Sequence, residues 1–194
     1  MKTETCDVAI IGAGPAGAVA SAILAAKGWD VRVFERQHFP RFSIGESMLA
    51  QTMQLLMDAG LYEDVKEQCF QFKDGAAFAW GDRYTDIYFP NKSTPGPGTT
   101  FQVRRDKFDD ALIKGAQRHG AKVSFGDSVT GFSSDDNGAQ LTVMSETGTV
   151  TQVKAKFALD GSGFGRILPR LLDLEQASTF DKRRSVFRHV MDNI

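Results

Sequence analysis

Gly12-Ala13-Gly14-Pro15-Ala16-Gly17 follows the apolar run Val8-Ala9-Ile10-Ile11, and Glu35 stands 18 positions after Gly17. Residues of these types at this spacing can cradle the diphosphate of a dinucleotide. Gly12 permits a tight turn, Gly14 lets the backbone approach a pyrophosphate, and Gly17 lets helix and strand pack closely. A helix opening at Pro15 and Ala16 offers unpaired N–H groups and the positive end of its dipole to phosphate. Glu35 can accept hydrogen bonds from the 2′- and 3′-hydroxyls of a ribose. Its charge would repel a 2′-phosphate, so NADP is disfavoured. FAD and NAD both remain compatible with such an element.

No other catalytic set competes. His38, His119 and His189 are scattered and have no metal-ligand spacing. There is no GxSxG elbow and no Walker loop. Cys6 and Cys69 form no CxxC pair, which predicts reduced thiols in a cytoplasmic protein.

The elements that must position these residues follow from apolar patterning. Val8–Ile11 reads as a strand buried on both faces. Residues 15–27 read as a helix with proline in its first turn, and Gly28 as its stop. Val31–Phe34 is the next strand, so residues 6–35 form one right-handed βαβ unit. A loop over 37–45 leads to a helix predicted over 46–59 and stopped by Gly60. Aromatic residues and the turn Pro95-Gly96-Pro97-Gly98 predict short antiparallel strands inserted between residues 75 and 103. A helix over 106–119, capped by Asp106 and ended by Gly120, precedes a third parallel strand at Val123–Phe125. Alternation with turns at Asp135–Gly138 and Glu146–Gly148 predicts a three-stranded meander over 127–157. Phe157-Ala158-Leu159 then returns to the main sheet and ends at Asp160-Gly161.

Composition agrees with one globular unit. The chain has 194 residues, 42% hydrophobic and 24% charged, with net charge −1. That balance lacks the basic footprint of a nucleic-acid binder. Val8–Ala26 carries no charge, but glycines and a proline interrupt it, and Lys2, Glu4 and Asp7 precede it. A soluble strand–turn–helix therefore explains it better than a membrane span or signal peptide.

Glu35-Arg36 followed by Phe39-Pro40-Arg41-Phe42-Ser43-Ile44-Gly45-Glu46-Ser47 resembles flavin-dependent halogenases and their relatives, the hydroxybenzoate-hydroxylase-type monooxygenases and geranylgeranyl-reductase-like enzymes. Arg105-Asp106-Lys107-Phe108-Asp109-Asp110-Ala111-Leu112 resembles their Arg-x-x-Phe-Asp-x-x-Leu helix start. Ala158-Leu159-Asp160-Gly161-Ser162-Gly163 resembles their later Asp-Gly motif. Together with the glycine motif these span residues 7–163. The resemblance implies FAD, bound in an α/β, Rossmann-like three-layer fold with a parallel sheet, an antiparallel β-meander and a small antiparallel insertion. Arg36, Arg41, Ser47, Arg105, Asp160 and Gly161 are its implied cofactor contacts, beside the glycine motif and Glu35. An anionic partner is expected for Arg105, since a cation at a helix start is disfavoured by the dipole. Glu46 is either near the flavin or a plain helix-start carboxylate.

Phe72-Lys73-Asp74-Gly75-Ala76-Ala77-Phe78-Ala79-Trp80-Gly81 is similar to the halogenase region that carries the essential lysine, which places that role on Lys73. In such enzymes reduced FAD, O2 and halide yield hypohalous acid. It travels to the lysine, and an electron-rich aromatic ring then takes the halogen. The resemblance implies a phenol, pyrrole or indole substrate, carrier-protein-bound in some members, and a separate flavin reductase. The family's downstream Trp-x-Trp-x-Ile-Pro motif has no match, since Trp29 and Trp80 are the only tryptophans. The expectation is therefore an FAD-binding domain over 1–180, with its insertion at about 70–103. Residues 181–194 would begin a substrate domain, with Phe187-Arg188-His189-Val190 as its entering strand, and the chain would be a fragment inactive alone. A flavin hydroxylase or geranylgeranyl-type reductase, and a non-catalytic FAD-binding module, are the alternatives.

Overall fold

The computed structural model describes residues 2–188, 190 and 191. In chain order the elements begin with β1 (Lys2–Ile11), α1 (Pro15–Ala26), β2 (Val31–Glu35), α2 (Ala50–Asp58) and α3 (Tyr62–Lys66). Four short strands follow, β3 (Gln71–Lys73), β4 (Gly75–Trp80), β5 (Arg83–Tyr88) and β6 (Thr100–Gln102). Then come α4 (Arg105–Arg118), β7 (Lys122–Phe125), β8 (Asp127–Asp135), β9 (Gly138–Ser145), β10 (Val150–Asp160), a 3-10 turn at Gly163–Gly165 and α5 (Ile167–Leu171).

One six-stranded sheet runs β7-β2-β1-β10-β9-β8. β1 pairs in parallel with β2 and β10, and β2 pairs in parallel with β7. β8, β9 and β10 are antiparallel neighbours. The run Val8–Ile11 is apolar throughout because both its faces are covered. Val8 and Ile10, with Val31 and Val33, pack under Ala18, Ala22, Phe108 and Leu112 of the helices. Ala9, Ile11 and Phe34 face the other way, against Val129, Leu141, Val143 and Val153 of the meander. Helices, parallel strands and meander are thus three layers, as expected.

The insertion is two small antiparallel sheets, β3 with β6 and β4 with β5. Other expectations need correction. β1 begins at Lys2 rather than Val8, and β10 is one 11-residue strand where a meander strand plus a separate return strand was predicted. Lys2–Ile11 pairs with Thr151–Asp160, while the first half of β10 also pairs with β9. Polar residues at the start of β1 hid this pairing from an apolar criterion. The predicted helix over 46–59 starts only at Ala50. Glu46–Met48 instead hydrogen-bonds to the β6 segment: Val103 N donates to Glu46 O (2.8 Å) and Met48 N to Phe101 O (3.2 Å). Glu46 therefore does not occupy a helix start. Arg104, not Asp106, is the N-cap of α4. Asp106 lies in the first turn, where the Arg104 guanidinium holds its carboxyl below the usual carboxylate range. The helix α3 was not anticipated; five residues leave too short a period to read. No strand occurs at Phe187, Arg188 or Val190, and His189 lies outside the described residues.

Cys6 is buried and Cys69 exposed. Burial, and next the carboxylates of Asp30 and Asp7, push the Cys6 thiol up to about 11 from 9.0. In a thiol-reagent titration of native protein at mild alkaline pH we expect Cys69 alone to react. Cys6 should follow only on unfolding, and two fast thiols would contradict the burial. The folded pKa is the higher one, so Cys6 contributes stability below pH 9 that is lost as pH rises toward 11.

Candidate functional site

At the C-terminal ends of β1, β2 and β10 the chain leaves the sheet in three neighbouring loops. This is where open parallel sheets bind ligands. The loops border a cleft of about 910 Å³. Gly12, with φ +95°, turns the chain out of β1, and its N–H donates to Phe34 O at 2.8 Å. A Cβ on Gly12 would lie 2.8 Å from Gly161 O, and one on Gly17 would lie 2.0 Å from Gly12 O. Gly161 N in turn donates to Ile11 O at 2.9 Å. These three glycines serve the close packing of strand, turn and helix. Gly17 is buried beneath the turn and does not line the cleft.

Gly14 is different. Its φ of −66° and ψ of −179° suit any residue. A Cβ there would meet only Arg41 Nη2, at 3.7 Å. Nothing in the protein requires glycine at this position, yet a side chain would project into the cleft beside Pro15 and Ala16. Gly14 is also the N-cap of α1, and no side chain caps the helix. The unpaired N–H groups of the first turn therefore remain available for an anion.

Glu35, 5% exposed, is tied in by both oxygens. Oε2 accepts from Ala13 N and Oε1 from Gln37 N, each at 2.9 Å. It fastens the glycine turn to the end of β2, and each oxygen keeps a second lone pair. Asp160 has a parallel duty. Oδ1 accepts from Ser162 N (2.9 Å) and Oδ2 from Leu168 N (2.8 Å), which orders the loop from Asp160 to α5. Both carboxylates line the cleft, as does Gly161.

Arg36, Arg41 and Arg105 supply the positive charge of the lining. The anion expected beside Arg105 is Asp109, one turn along α4. Arg105 Nε and Nη2 reach its two oxygens at 2.7 and 3.0 Å, and Arg105 Nη1 donates to Ile44 O at 2.6 Å. Arg41 Nη1 lies 3.4 Å from Asp109 Oδ2. The Arg41 guanidinium sits over the Phe39 ring, 4.7 Å from its centroid, and its Nε is buried without a hydrogen-bond partner.

Of the expected cofactor contacts, Ser47 as well as Gly17 is not brought into the cleft, and Lys73, expected away from the flavin, also lies outside it. Ser47 is bridged to Gln102, and its Oγ accepts from Lys73 Nζ at 2.5 Å. Lys73, on β3, also donates to Met48 O at 3.2 Å and lies 5.2 Å from the Phe89 ring centroid. Ser47 and Lys73 therefore form a second locus. Phe42 and the start of β8, Asp127 to Val129, also line the cleft, and sequence reasoning did not single them out. β8 reaches the cleft only because the meander folds across the sheet, and no local pattern announces that. Phe42 stacks on Phe187, with centroids 5.7 Å apart.

A glycine cradle open on one side, a free helix start, an acidic residue at the end of β2 and an arginine with unspent donors fit the diphosphate and ribose of a flavin dinucleotide. Comparisons with known proteins agree. Residues 5–187 match the family model described as FAD binding domain. The tryptophan 2-halogenase of Chondromyces crocatus is 32% identical over 82% of this chain and 30% of its own length. The 1H-pyrrole-2-carbonyl-[peptidyl-carrier protein] chlorinase of Pseudomonas fluorescens is 31% identical over 91% of this chain and 43% of its own length. Among solved structures, a flavoprotein/dehydrogenase from Cytophaga hutchinsonii superposes with TM-score 0.86 at 39% identity, over 90% of this chain and 44% of that one. The flavin-dependent halogenase CmlS does so with TM-score 0.79 at 35% identity, over 87% and 31%. The chain spans less than half the length of each of these proteins. Among the described residues no helix is long and apolar enough to cross a membrane. With its motifs assembled around one cleft and the match running over nearly its whole length, the chain belongs to the FAD binding domain family.

Proposed function

We propose that the chain is the FAD-binding portion of a flavin-dependent halogenase acting on an electron-rich aromatic, a phenol, pyrrole or indole, free or bound to a carrier protein. One observation carries this reading. Lys73 stands outside the cleft, on β3, with its ammonium group held by Ser47 Oγ and Met48 O and set beside Phe89. A lysine that receives hypohalous acid must be kept apart from the flavin, and a compact, mobile ammonium suits that task. The likeness to a carrier-protein pyrrole chlorinase over 91% of the chain supports the substrate class.

When bound, reduced FAD supplies two electrons to O2, from which, with halide, hypohalous acid forms. The chain's own residues do the rest. Gly14 and Ala16 receive the diphosphate on backbone N–H groups and open space, Gly12 and Pro15 shape the turn that presents them, and Gly17 is packed beneath. Glu35 accepts the ribose hydroxyls, and Arg36 and Arg41 balance the phosphates. Arg105, Asp160 and Gly161 shape the opposite wall. Ser47, implied as a cofactor contact by resemblance, serves the lysine instead. Residues 1–180 form the FAD-binding domain, with its insertion at about 70–103, and 181–194 begin a substrate domain. The protein works in the cytoplasm with reduced flavin from a separate reductase.

The test is an assay of the protein expressed from its complete reading frame, with reduced FAD, O2, chloride or bromide and aromatic substrates. Halogenated product is expected. Hydroxylated product would favour the second reading, a flavin hydroxylase. That reading has its own support in the likeness to the OxyS anhydrotetracycline hydroxylase from Streptomyces rimosus, TM-score 0.73 at 27% identity over 87% of this chain and 34% of that one.

Glu35 provides a separate check. Glu35→Gln keeps both oxygen and size but removes the charge and one acceptor, so FAD affinity should fall about tenfold, as for a lost charge-assisted hydrogen bond. Equal affinity, measured by flavin-fluorescence titration, would remove Glu35 from the ribose site.

A further inference from the structure

Asp109 is fully buried, on the core side of α4. Carboxylates are seldom buried so completely unless paired, and a single bidentate arginine would suffice. Asp109 has two arginines, and both line the nucleotide cleft. Their duties differ. Arg105 is engaged at all three nitrogens: Nε and Nη2 are on Asp109 and Nη1 is on Ile44 O and Gly45 O. It acts as a strut that fastens the segment before Glu46 to α4. Arg41 is not spent. Only Nη1 approaches Asp109, Nε has no acceptor, and Nη2 reaches toward Gly14. Two guanidinium charges against one carboxylate leave a net positive charge at the cleft wall, beside the glycine turn.

We infer that Asp109 is a positioning residue for cofactor binding: it fixes Arg105 as a strut and, through it and directly, presents Arg41 to a diphosphate seated on the Gly12–Ala16 turn. This rests on the FAD reading above. Asp109 touches no ligand itself, and its whole effect on affinity passes through the arginines.

The experiment is a double-mutant cycle on the chain, read by flavin-fluorescence titration with FAD and by calorimetric titration with ADP. The variants are Asp109→Asn, Arg41→Met and both together. Removing one partner of a buried pair can unfold a protein, so Asp109→Glu is included. It keeps the charge but displaces the guanidiniums. Asp109→Asn and Asp109→Glu should each weaken both FAD and ADP about tenfold, and Asp109→Asn in the Arg41→Met background should add less than about twofold. Losses that multiply would overturn the inference, because Asp109 would then act independently of Arg41. Unchanged affinity in Asp109→Glu would overturn it too. If the unaltered chain binds neither FAD nor ADP, the cofactor reading falls and the inference with it. Binding with multiplied losses removes the Asp109 assignment alone.

Discussion

Gly14→Val should leave the chain folded and remove most of its affinity for FAD. The backbone at Gly14 already has an extended conformation that a β-branched residue adopts without strain. The added Cβ meets only Arg41 Nη2, the far end of a flexible side chain, at 3.7 Å. The cost to the fold is that of a poorer N-cap, about 1 kcal/mol or less. The cost to the ligand is larger, because valine fills the space through which the backbone meets the diphosphate. Overpacking costs about 1–3 kcal/mol, which corresponds to a rise in Kd of about five- to 150-fold. Gly17→Ala should do the reverse. Its Cβ would fall 2.0 Å from Gly12 O, so strand, turn and helix must move apart, and the thermal midpoint should drop before any ligand is added. Unchanged FAD binding in Gly14→Val, with the midpoint preserved, would mean that the dinucleotide does not use this turn.

The contrast between these two glycines marks what a sequence can and cannot convey. The motif names Gly12, Gly14 and Gly17 alike, because all three are small for reasons of close approach. Only coordinates separate those that approach other backbone from the one that faces open space. The βαβ unit was legible because its signals are local: a short apolar run, a proline inside a helix start, a glycine past its end. The helix over 46–59 was misread at its front for a non-local reason. Glu46–Met48 found partners in β6, some 55 residues away, and backbone pairing there displaced a helical turn. β10 was divided in two because Thr151–Lys156 looked like meander and Phe157–Leu159 like sheet core, whereas one strand serves β1 along its length and β9 along its first half. Asp109 is itself a residue of the Arg-x-x-Phe-Asp-x-x-Leu pattern. Its buried position between Arg41 and Arg105 follows from how α4 docks, which no spacing records.

Lys73→Ala, made in the protein expressed from its complete reading frame, should cut halogenation about a hundredfold or more, the scale of a lost positioned proton donor, with FAD affinity unchanged. The separation follows from position. Lys73 lies on β3 with Ser47 and Met48 as partners, while the residues proposed to meet the dinucleotide line the cleft at the ends of β1, β2 and β10. A purely structural lysine would also matter, since it joins β3 to the segment before α2. The two roles diverge in Ser47→Ala. That change removes the Ser47 acceptor and loosens the same joint, but keeps the ammonium and its bond to Met48 O. If Lys73 carries the halogen, Ser47→Ala retains most activity and Lys73→Arg does not, because a guanidinium is broader and offers no compact amine nitrogen. If Lys73 merely ties two segments together, Ser47→Ala and Lys73→Ala lose activity in step, and Lys73→Arg, able to donate to the same oxygens, restores it. Matching losses in the first pair would return Lys73 to a structural role and move the proposed reaction toward the hydroxylases.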